Sequence, residues 1–308
     1  MYKILVCDHI SHTALDILKQ APDVEFSQYT GLSQDELVAK IADFNAIIVR
    51  SSTIVSKEVI DKAENLKVIG RAGSGLDNID QASALQKGIK IINTPGTNAP
   101  AVAELTIGLM FNLARKISWA SQSMKEGRWD KSAFSGIELA GKKLGIIGCG
   151  KIGKNVAHMA AALGMDVLIY NKSIIDMDAL RYEQVELERL LRESDFITIH
   201  LPKDEQTKGF ISKKELKKMK AEAYLINAAR GGIVVEKDLL EALKNGTIAG
   251  AALDVFENEP DFNKELIANP KVIATPHIGA ASKESQERVG VIIVDQILEY
   301  LRSKYIFL

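Results

Sequence analysis

Residues 145–153 read GIIGCGKIG, and Gly148, Gly150 and Gly153 stand in the order G-x-G-x-x-G. A chain that only had to reverse direction would need one glycine. Leu144, Ile146 and Ile147 form an apolar run of strand type before them, and KNVAHMAAALG after them has the Ala, Val and Met content of a buried helix stopped by Gly164. At such a strand-to-helix turn the first glycine permits the tight turn, and the second lets a pyrophosphate approach the backbone. The third lets helix and strand pack closely, while the helix N-terminus offers amide hydrogens to the anion. The bland alternative is an ordinary tight turn of small residues. The strand before, the helix after and the next strand, DVLIY, favour a dinucleotide site.

Outward from this turn, β-type runs alternate with amphipathic stretches. KILVCD, VEFSQY, AIIVR, KVIGRAG and IKIINTP make one unit of about five strands over residues 1–94, with helix-like segments such as SQDELVAKIADF and SKEVIDKAENL between them. A long helix is expected from about Pro100 to Lys125. A second unit begins at Lys142 with KLGIIG and continues through DVLIYN, DFITIH, AYLINAAR, AGAALDVF and VIATPH. Alternating strands and helices imply an α/β fold of two open parallel-sheet domains covered on both faces. The last helix, SKESQERVGVIIVDQILEYLRS, has no strand after it in the second unit. It is expected to return to the first domain, so that residues 1–94 plus 285–308 form one domain and the cofactor domain, residues 95–284, is an insertion.

Composition narrows the function classes. Lys plus Arg (39) nearly balances Asp plus Glu (40), so neither a nucleic-acid footprint nor a polybasic membrane face is indicated. Hydrophobic content of 46% and charged content of 26% suit a soluble globular protein, and 308 residues suffice for two sizeable cores. Cys7 lies in the first strand and Cys149 inside the glycine turn, where a disulfide would block the ligand, so both are expected as reduced thiols in a cytoplasmic protein. MYKILVCDHI lacks the basic flank and long apolar core of a signal peptide. AVAELTIGLMFNLARKI is interrupted by Glu104, Asn112 and Arg115, which makes it a buried helix and not a membrane span.

Ligands of open α/β sheets bind beyond the C-terminal ends of the strands. AYLIN is followed by Ala228, Ala229, Arg230, Gly231 and Gly232, an arginine fork beside glycines that leave room for a carboxylate. AALDVF carries Asp254 at its end, with Glu257 and Glu259 just beyond, and VIATP is followed by His277. His200 also stands at a strand end and competes with His277. An arginine, a carboxylate and a histidine beside a dinucleotide suggest carbonyl–alcohol redox chemistry. The arginine would orient a 2-keto acid, the histidine would exchange the hydroxyl proton, and a glutamate would hold the second imidazole nitrogen. No metal is expected, because neither H-x-x-x-H nor C-x-x-C spacing occurs.

VRSSTIVS, VIGRAGSGLDNID, NTPGTNAPAVAEL, LGIIGCGKIG, NAARGGIV, GAALDVFENEP and TPHIGA, in this order, resemble the D-isomer-specific 2-hydroxyacid dehydrogenases from about residue 2 to residue 303. The resemblance implies a flavodoxin-like substrate domain with an inserted Rossmann domain. It assigns Arg230, Glu259 and His277 as the catalytic residues, over Glu257 and His200. It implies cofactor contacts at Ser74, Gly148, Gly150, Lys151, Ile152, Gly153, Asn171, Lys172, His200, Leu201, Pro202, Ala228, Ala229, Asp254, Gly279 and Ala280. Arg50, Ser51, Arg71, Gly73, Asn98 and Lys131 fall on the substrate side. Arg50 and Arg71 follow strands of the first domain, and three cations with Lys131 would suit a phosphorylated substrate. D-3-phosphoglycerate is therefore the expected substrate, with glyoxylate or hydroxypyruvate as the alternative. A dinucleotide-sensing corepressor is a reading from another class. The resemblance also implies a homodimer built through the cofactor domain, with Lys131 reaching the neighbouring subunit.

Two departures from the family pattern matter. Asn171, followed by Lys172, stands where an aspartate usually binds the adenosine ribose. A neutral amide does not repel a 2′-phosphate and Lys172 would attract one, so NAD is expected while NADP stays open. After EYLRSKYIFL the sequence given has no further segment, so a serine-binding regulatory domain of the kind found in longer relatives is not expected.

Overall fold

In the computed structural model, which describes residues 1–176 and 182–303, the chain divides into two compact units, residues 1–98 with 281–308 and residues 99–280.

The first unit is a five-stranded parallel sheet. Its strands are β1 (Tyr2–Val6), β2 (Val24–Gln28), β3 (Ala46–Val49), β4 (Val68–Arg71) and β5 (Lys90–Asn93), in the order β2-β1-β3-β4-β5. The central strand AIIV is buried at every position, as a strand covered on both faces must be. Helices α1 (His12–Gln20), α2 (Gln34–Lys40), α3 (Lys57–Lys62) and α4 (Gln81–Gln86) each start at a side-chain cap, from Ser11, Ser33, Ser56 and Asp80 in turn. Ser33 forms a capping box with Glu36.

The second unit is a seven-stranded parallel sheet. Helices α5 (Ala99–Arg115) and α6 (Ile117–Lys125) precede strands β6 (Lys143–Ile147), β7 (Asp166–Tyr170), β8 (Tyr182–Gln184), β9 (Phe196–Ile199), β10 (Tyr224–Asn227), β11 (Gly250–Leu253) and β12 (Val272–Ala274). Their order, β12-β11-β10-β9-β6-β7-β8, grows outward from β6 in both directions. The topological switch point therefore lies between β6 and β9, and the glycine turn that follows β6 opens there. Helices α7 (Lys151–Ala162), α8 (Leu187–Glu193), α9 (Lys213–Leu216), α10 (Glu236–Lys244) and α11 (Lys264–Ile267) connect the strands. Two large apolar clusters, one centred on Ile197 and Leu225 and one on Ile146 and Ile226, pack on the two faces.

The last helix, α12 (Lys283–Ser303), packs on the first unit against α1 and β4. A β-carbon at Gly70 would lie 2.3 Å from Ile297 Cδ1, so β4 carries glycine where this helix crosses it.

Two elements differ from the sequence expectation. The helix expected from Pro100 to Lys125 is two helices, broken at Lys116, whose φ is 54°. Asn112 Oδ1 accepts the Ser118 amide at 2.8 Å, and Gly136 sits so close that a β-carbon there would be 2.4 Å from the Ala114 carbonyl oxygen. The chain thus turns where a side chain competes for the amides of the second helix. Strand β8, only three residues at the sheet edge, carried no strand-type apolar run.

Candidate active site

The glycine turn has three different kinds of glycine. Gly148 has φ of +89°, and a β-carbon on it would lie 2.9 Å from the His200 carbonyl oxygen. At Gly153 a β-carbon would be 2.4 Å from the Gly148 carbonyl oxygen, so helix α7 rests directly on the turn. Gly150 faces open space, with nothing within 4 Å of the position its β-carbon would take, and as N-cap of α7 it has no side chain to occupy the first-turn amides. A pyrophosphate fits that opening. The Cys149 thiol beside it is buried, and burial pushes its pKa up to about 11, so it stays neutral.

At the end of β7, Asn171 Oδ1 accepts the Cys149 amide at 3.0 Å, while its Nδ2 donates to the Ser173 carbonyl (3.1 Å) and hydroxyl (2.9 Å). Asn171 thereby braces the glycine turn. Exposed Lys172 donates to Gln206 Oε1. At the end of β9, His200 Nε2 lies 3.0 Å from Thr198 Oγ1, and burial holds the ring neutral by pushing its pKa down to about 3. Among the described residues, the hydrogen-bond partner of the His200 ring is this threonine, with no carboxylate beside it.

A histidine–carboxylate pair forms elsewhere on the sheet edge. His277 Nδ1 lies 2.6 Å from Glu259 Oε2, which leaves Nε2 for a reacting hydroxyl. Glu259 Oε1 accepts the Phe256 amide at 2.9 Å. Burial raises the Glu259 carboxyl, but the hydrogen bonds from His277 and Phe256 and the charges of His277 and Arg230 outweigh it and hold it below the usual carboxylate range. Glu257, the other sequence candidate, faces α10, where its Oε1 accepts the Glu236 amide at 2.8 Å.

Asp254, 1% exposed, holds the loop that carries His277. Its Oδ1 accepts the Thr275 hydroxyl (2.6 Å) and the Ile278 amide (2.8 Å), and its Oδ2 accepts the Gly279 amide (2.8 Å). His277 itself has φ of 52°, and its amide donates to the Thr275 carbonyl at 2.9 Å. The role of Asp254 as loop support was missed in the sequence, where it was assigned to the cofactor alone.

Arg230 follows β10. Its carbonyl accepts Asn227 Nδ2 at 3.0 Å, Asn227 Oδ1 accepts the Ala229 amide at 3.1 Å, and Arg230 Nη1 donates to the Ala229 carbonyl at 2.7 Å. The next residue, Gly231, lies flush on the peptide after Phe256, with a hypothetical β-carbon only 1.6 Å from the Phe256 carbonyl oxygen. The Arg230 loop and the Glu259 loop are thus in direct backbone contact.

The candidates in the first unit form their own group. The carboxylate of Asp8, at the end of β1, accepts the Arg50 amide and, at 3.0 Å, the Thr53 hydroxyl, so it fixes the turn that bears Arg50 and Ser51. Arg50 Nη1 donates to the His9 carbonyl at 3.2 Å. The Arg71 guanidinium crosses Gly73, whose φ is +149° and whose β-carbon would meet Arg71 Nη1 at 1.6 Å. Ser74 Oγ donates to Asn98 Oδ1 at 2.9 Å. Lys131 sits in an exposed 3₁₀ turn, Lys131–Phe134, of the second unit. Asp8 and Asn227 were missed in the sequence; their strand-end positions were the available signal. Among the described residues no cluster of His, Cys, Asp and Glu could hold a metal ion.

Residues 107–279 match the NAD binding domain of the D-isomer specific 2-hydroxyacid dehydrogenases. The chain is 45% identical over 307 residues to a D-3-phosphoglycerate dehydrogenase of Methanocaldococcus jannaschii, an alignment covering 99% of this chain and 58% of that relative. It is 43% identical over 303 residues to a hydroxypyruvate reductase of Thermotoga maritima, covering 97% of this chain and 98% of that protein. Among solved structures, a Thermus thermophilus protein superposes with a TM-score of 0.91 at 32% identity, covering 98% of this chain and 97% of that one. An NAD+-bound 3-phosphoglycerate dehydrogenase of Entamoeba histolytica gives a TM-score of 0.83 at 30% identity, covering 98% and 95%.

Proposed function

The chain belongs to the D-isomer-specific 2-hydroxyacid dehydrogenase family, and on that premise we propose that it interconverts D-3-phosphoglycerate and 3-phosphohydroxypyruvate, the oxidation that leads toward serine. The observation that carries the reading is the 2.6 Å contact of His277 Nδ1 with Glu259, beside Arg230 on the same sheet edge as the glycine turn. A bound nicotinamide dinucleotide would supply the hydride acceptor or donor, and the Gly148–Gly153 turn would hold its pyrophosphate. His277 takes the hydroxyl proton of the 2-hydroxy acid on Nε2, or returns it to the keto oxygen in reverse. Glu259 fixes the tautomer and balances the imidazolium that forms. Arg230 receives the carboxylate and polarises the adjacent carbonyl. Arg50, Arg71 and Lys131 are proposed for the phosphate.

NAD is the proposed coenzyme, and NADP is admitted, since the three residues after β7 are Asn171, Lys172 and Ser173, none of which is a carboxylate. The protein is proposed to act in the cytoplasm as a homodimer through the cofactor unit. The dimer reading rests on Phe111, Ile117, Met124, Trp129 and Ile137, exposed apolar side chains that cluster between residues 111 and 137. A hydroxypyruvate reductase is the second reading, favoured by the 43% identity to the Thermotoga protein.

NAD(P)H absorbance with 3-phosphohydroxypyruvate, hydroxypyruvate and glyoxylate tests the assignment. The expected order places the phosphorylated acid first in kcat/KM. Preference for hydroxypyruvate promotes the second reading, and turnover of none of the three promotes a dinucleotide sensor.

A further inference from the structure

Glu236 stands outside the hydride and proton chemistry, yet its placement is unusual. It is the first residue of α10, 7% exposed, and its carboxylate does not cap its own helix. It reaches across to the Glu257 amide, which donates to Glu236 Oε1 at 2.6 Å, while Glu257 Oε1 accepts the Glu236 amide at 2.8 Å. Two carboxylates therefore exchange backbone amides, and the N-terminus of α10 is closed by a residue from another loop. A buried carboxylate is retained at such a position only where hydrogen bonds replace its lost hydration. The turn this clamp grips is 256–259. Gly231 presses on the same peptide from the Arg230 side. One residue before the clamp, the Phe256 amide donates to Glu259 Oε1, and two residues after it Glu259 meets His277.

We propose that Glu236 is a positioning residue, which through its reciprocal hydrogen bonds with Glu257 fixes the 256–259 turn and so holds Glu259 against His277. The inference rests on the acid–base reading of His277 given above. Burial raises the Glu236 carboxyl, as do the charges that act on it, those of Glu257 and Glu259, and Glu236 Oε1 is the acceptor that holds the Glu257 amide. Without Glu236, that amide is unpaired and the turn is free to shift. A misplacement of about 1 Å at a reacting centre is enough to lose on the order of 10²-fold in rate.

The test compares Glu236→Ala, Glu236→Gln and Glu236→Asp in the full chain. Two readouts are taken: the turnover of the keto acid, and the tautomer of the His277 ring from its ring-nitrogen NMR shifts without substrate or dinucleotide. The ring readout is independent of which substrate the enzyme uses, so failure of the substrate assignment leaves it intact. Glu236→Ala is expected to lower kcat about 10–10²-fold with dinucleotide affinity unchanged, and to mix the Nδ1–H tautomer with the Nε2–H form. Glu236→Gln keeps the acceptor oxygen and restores both readouts. Glu236→Asp, one methylene shorter, is impaired in both. If the alanine variant does not fold, the glutamine and aspartate variants decide. A wild-type tautomer and kcat in Glu236→Ala overturn the proposal, as do Glu236→Asp behaving as wild type or Glu236→Gln failing as alanine does.

Discussion

His277 is held in a left-handed conformation, φ 52°, which a residue bearing a β-carbon adopts only when its surroundings impose it. Asp254 imposes it, by taking the amides on the C-terminal side and the Thr275 hydroxyl on the other. His277→Ala keeps this loop and removes only the ring, so kcat is expected to fall ~10²–10⁴-fold with the dinucleotide dissociation constant unchanged, as fluorescence titration of bound NADH would show. Arg230→Lys keeps the charge and loses the planar fork, so a large drop in keto-acid turnover at unchanged coenzyme affinity is expected. At the ribose edge, Lys172→Ala removes the cation that directly follows Asn171 at the β7 end. A charge-assisted contact is worth about 1.5–3 kcal/mol. Affinity for NADP should therefore fall about tenfold or more and affinity for NAD stay level. Equal losses for both coenzymes would place the adenosine ribose elsewhere.

Elements meet at points where no side chain fits. Helix α7 lies on the Gly148 carbonyl, and the backbone atom 2.4 Å from a β-carbon at Gly153 cannot move without opening the glycine turn. Gly153→Ala is expected to lower Tm by several degrees and abolish dinucleotide binding, while Gly150→Ala, with open space at its β-carbon, keeps the fold and weakens only the dinucleotide. Helix α8 is tied to β6 in a different way, by Glu193, which receives Lys143 Nζ at 2.7 Å and Arg189 Nε at 2.8 Å. Those two hydrogen bonds hold the Glu193 carboxyl down at about 2, against 4.5 for the free group. Because the folded value is depressed, this brace contributes at pH above 4.5 and is lost as the pH falls toward 2. Over that window the Tm of the wild type should fall more steeply than that of Glu193→Gln, measured by thermal denaturation at low salt.

In the whole molecule the chain leaves the first unit once and returns once, and the return is helix α12. Val289, Ile293, Val294, Ile297, Leu298 and Leu301 of that helix are buried. At about 1.5–3 kcal/mol for each buried side chain, removing the helix forfeits roughly as much as the entire stability of a domain. A chain ending before Lys283 is thus expected to lose the first unit while the second keeps dinucleotide binding, as limited proteolysis with and without NADH would reveal. The exposed apolar run in and after α5 and α6 bears on assembly. Trp129, 80% exposed, is the largest of these side chains and lies in the segment proposed for the dimer. Trp129→Glu together with Met124→Glu should shift the sedimentation coefficient from dimer to monomer if this face is the interface. An unchanged coefficient moves the interface off this face.

The sequence by itself determined the alternation of strands and helices, the glycine turn and the helix that follows it. These are local: an apolar run buried on both faces and a G-x-G-x-x-G turn leave a periodic imprint that needs no knowledge of neighbours. It also held the catalytic candidates, since strand ends can be read from the runs before them, but it left His200 beside His277 and Glu257 beside Glu259 until the family resemblance chose between them. Only the tertiary structure shows why these differ, because burial of His200 and the reach of α10 to Glu257 are set by residues distant in sequence. The break at Lys116 was hidden for the same reason: Gly136 and Asn112 impose it, and helix propensity along 100–125 is blind to both. Strand β8 was illegible because three residues at a sheet edge bury too little to leave an apolar pattern. The hydrogen bonds of Asp254 and Glu236 to distant backbone amides belong wholly to tertiary structure, since a carboxylate that accepts backbone amides across a loop has no signature in spacing.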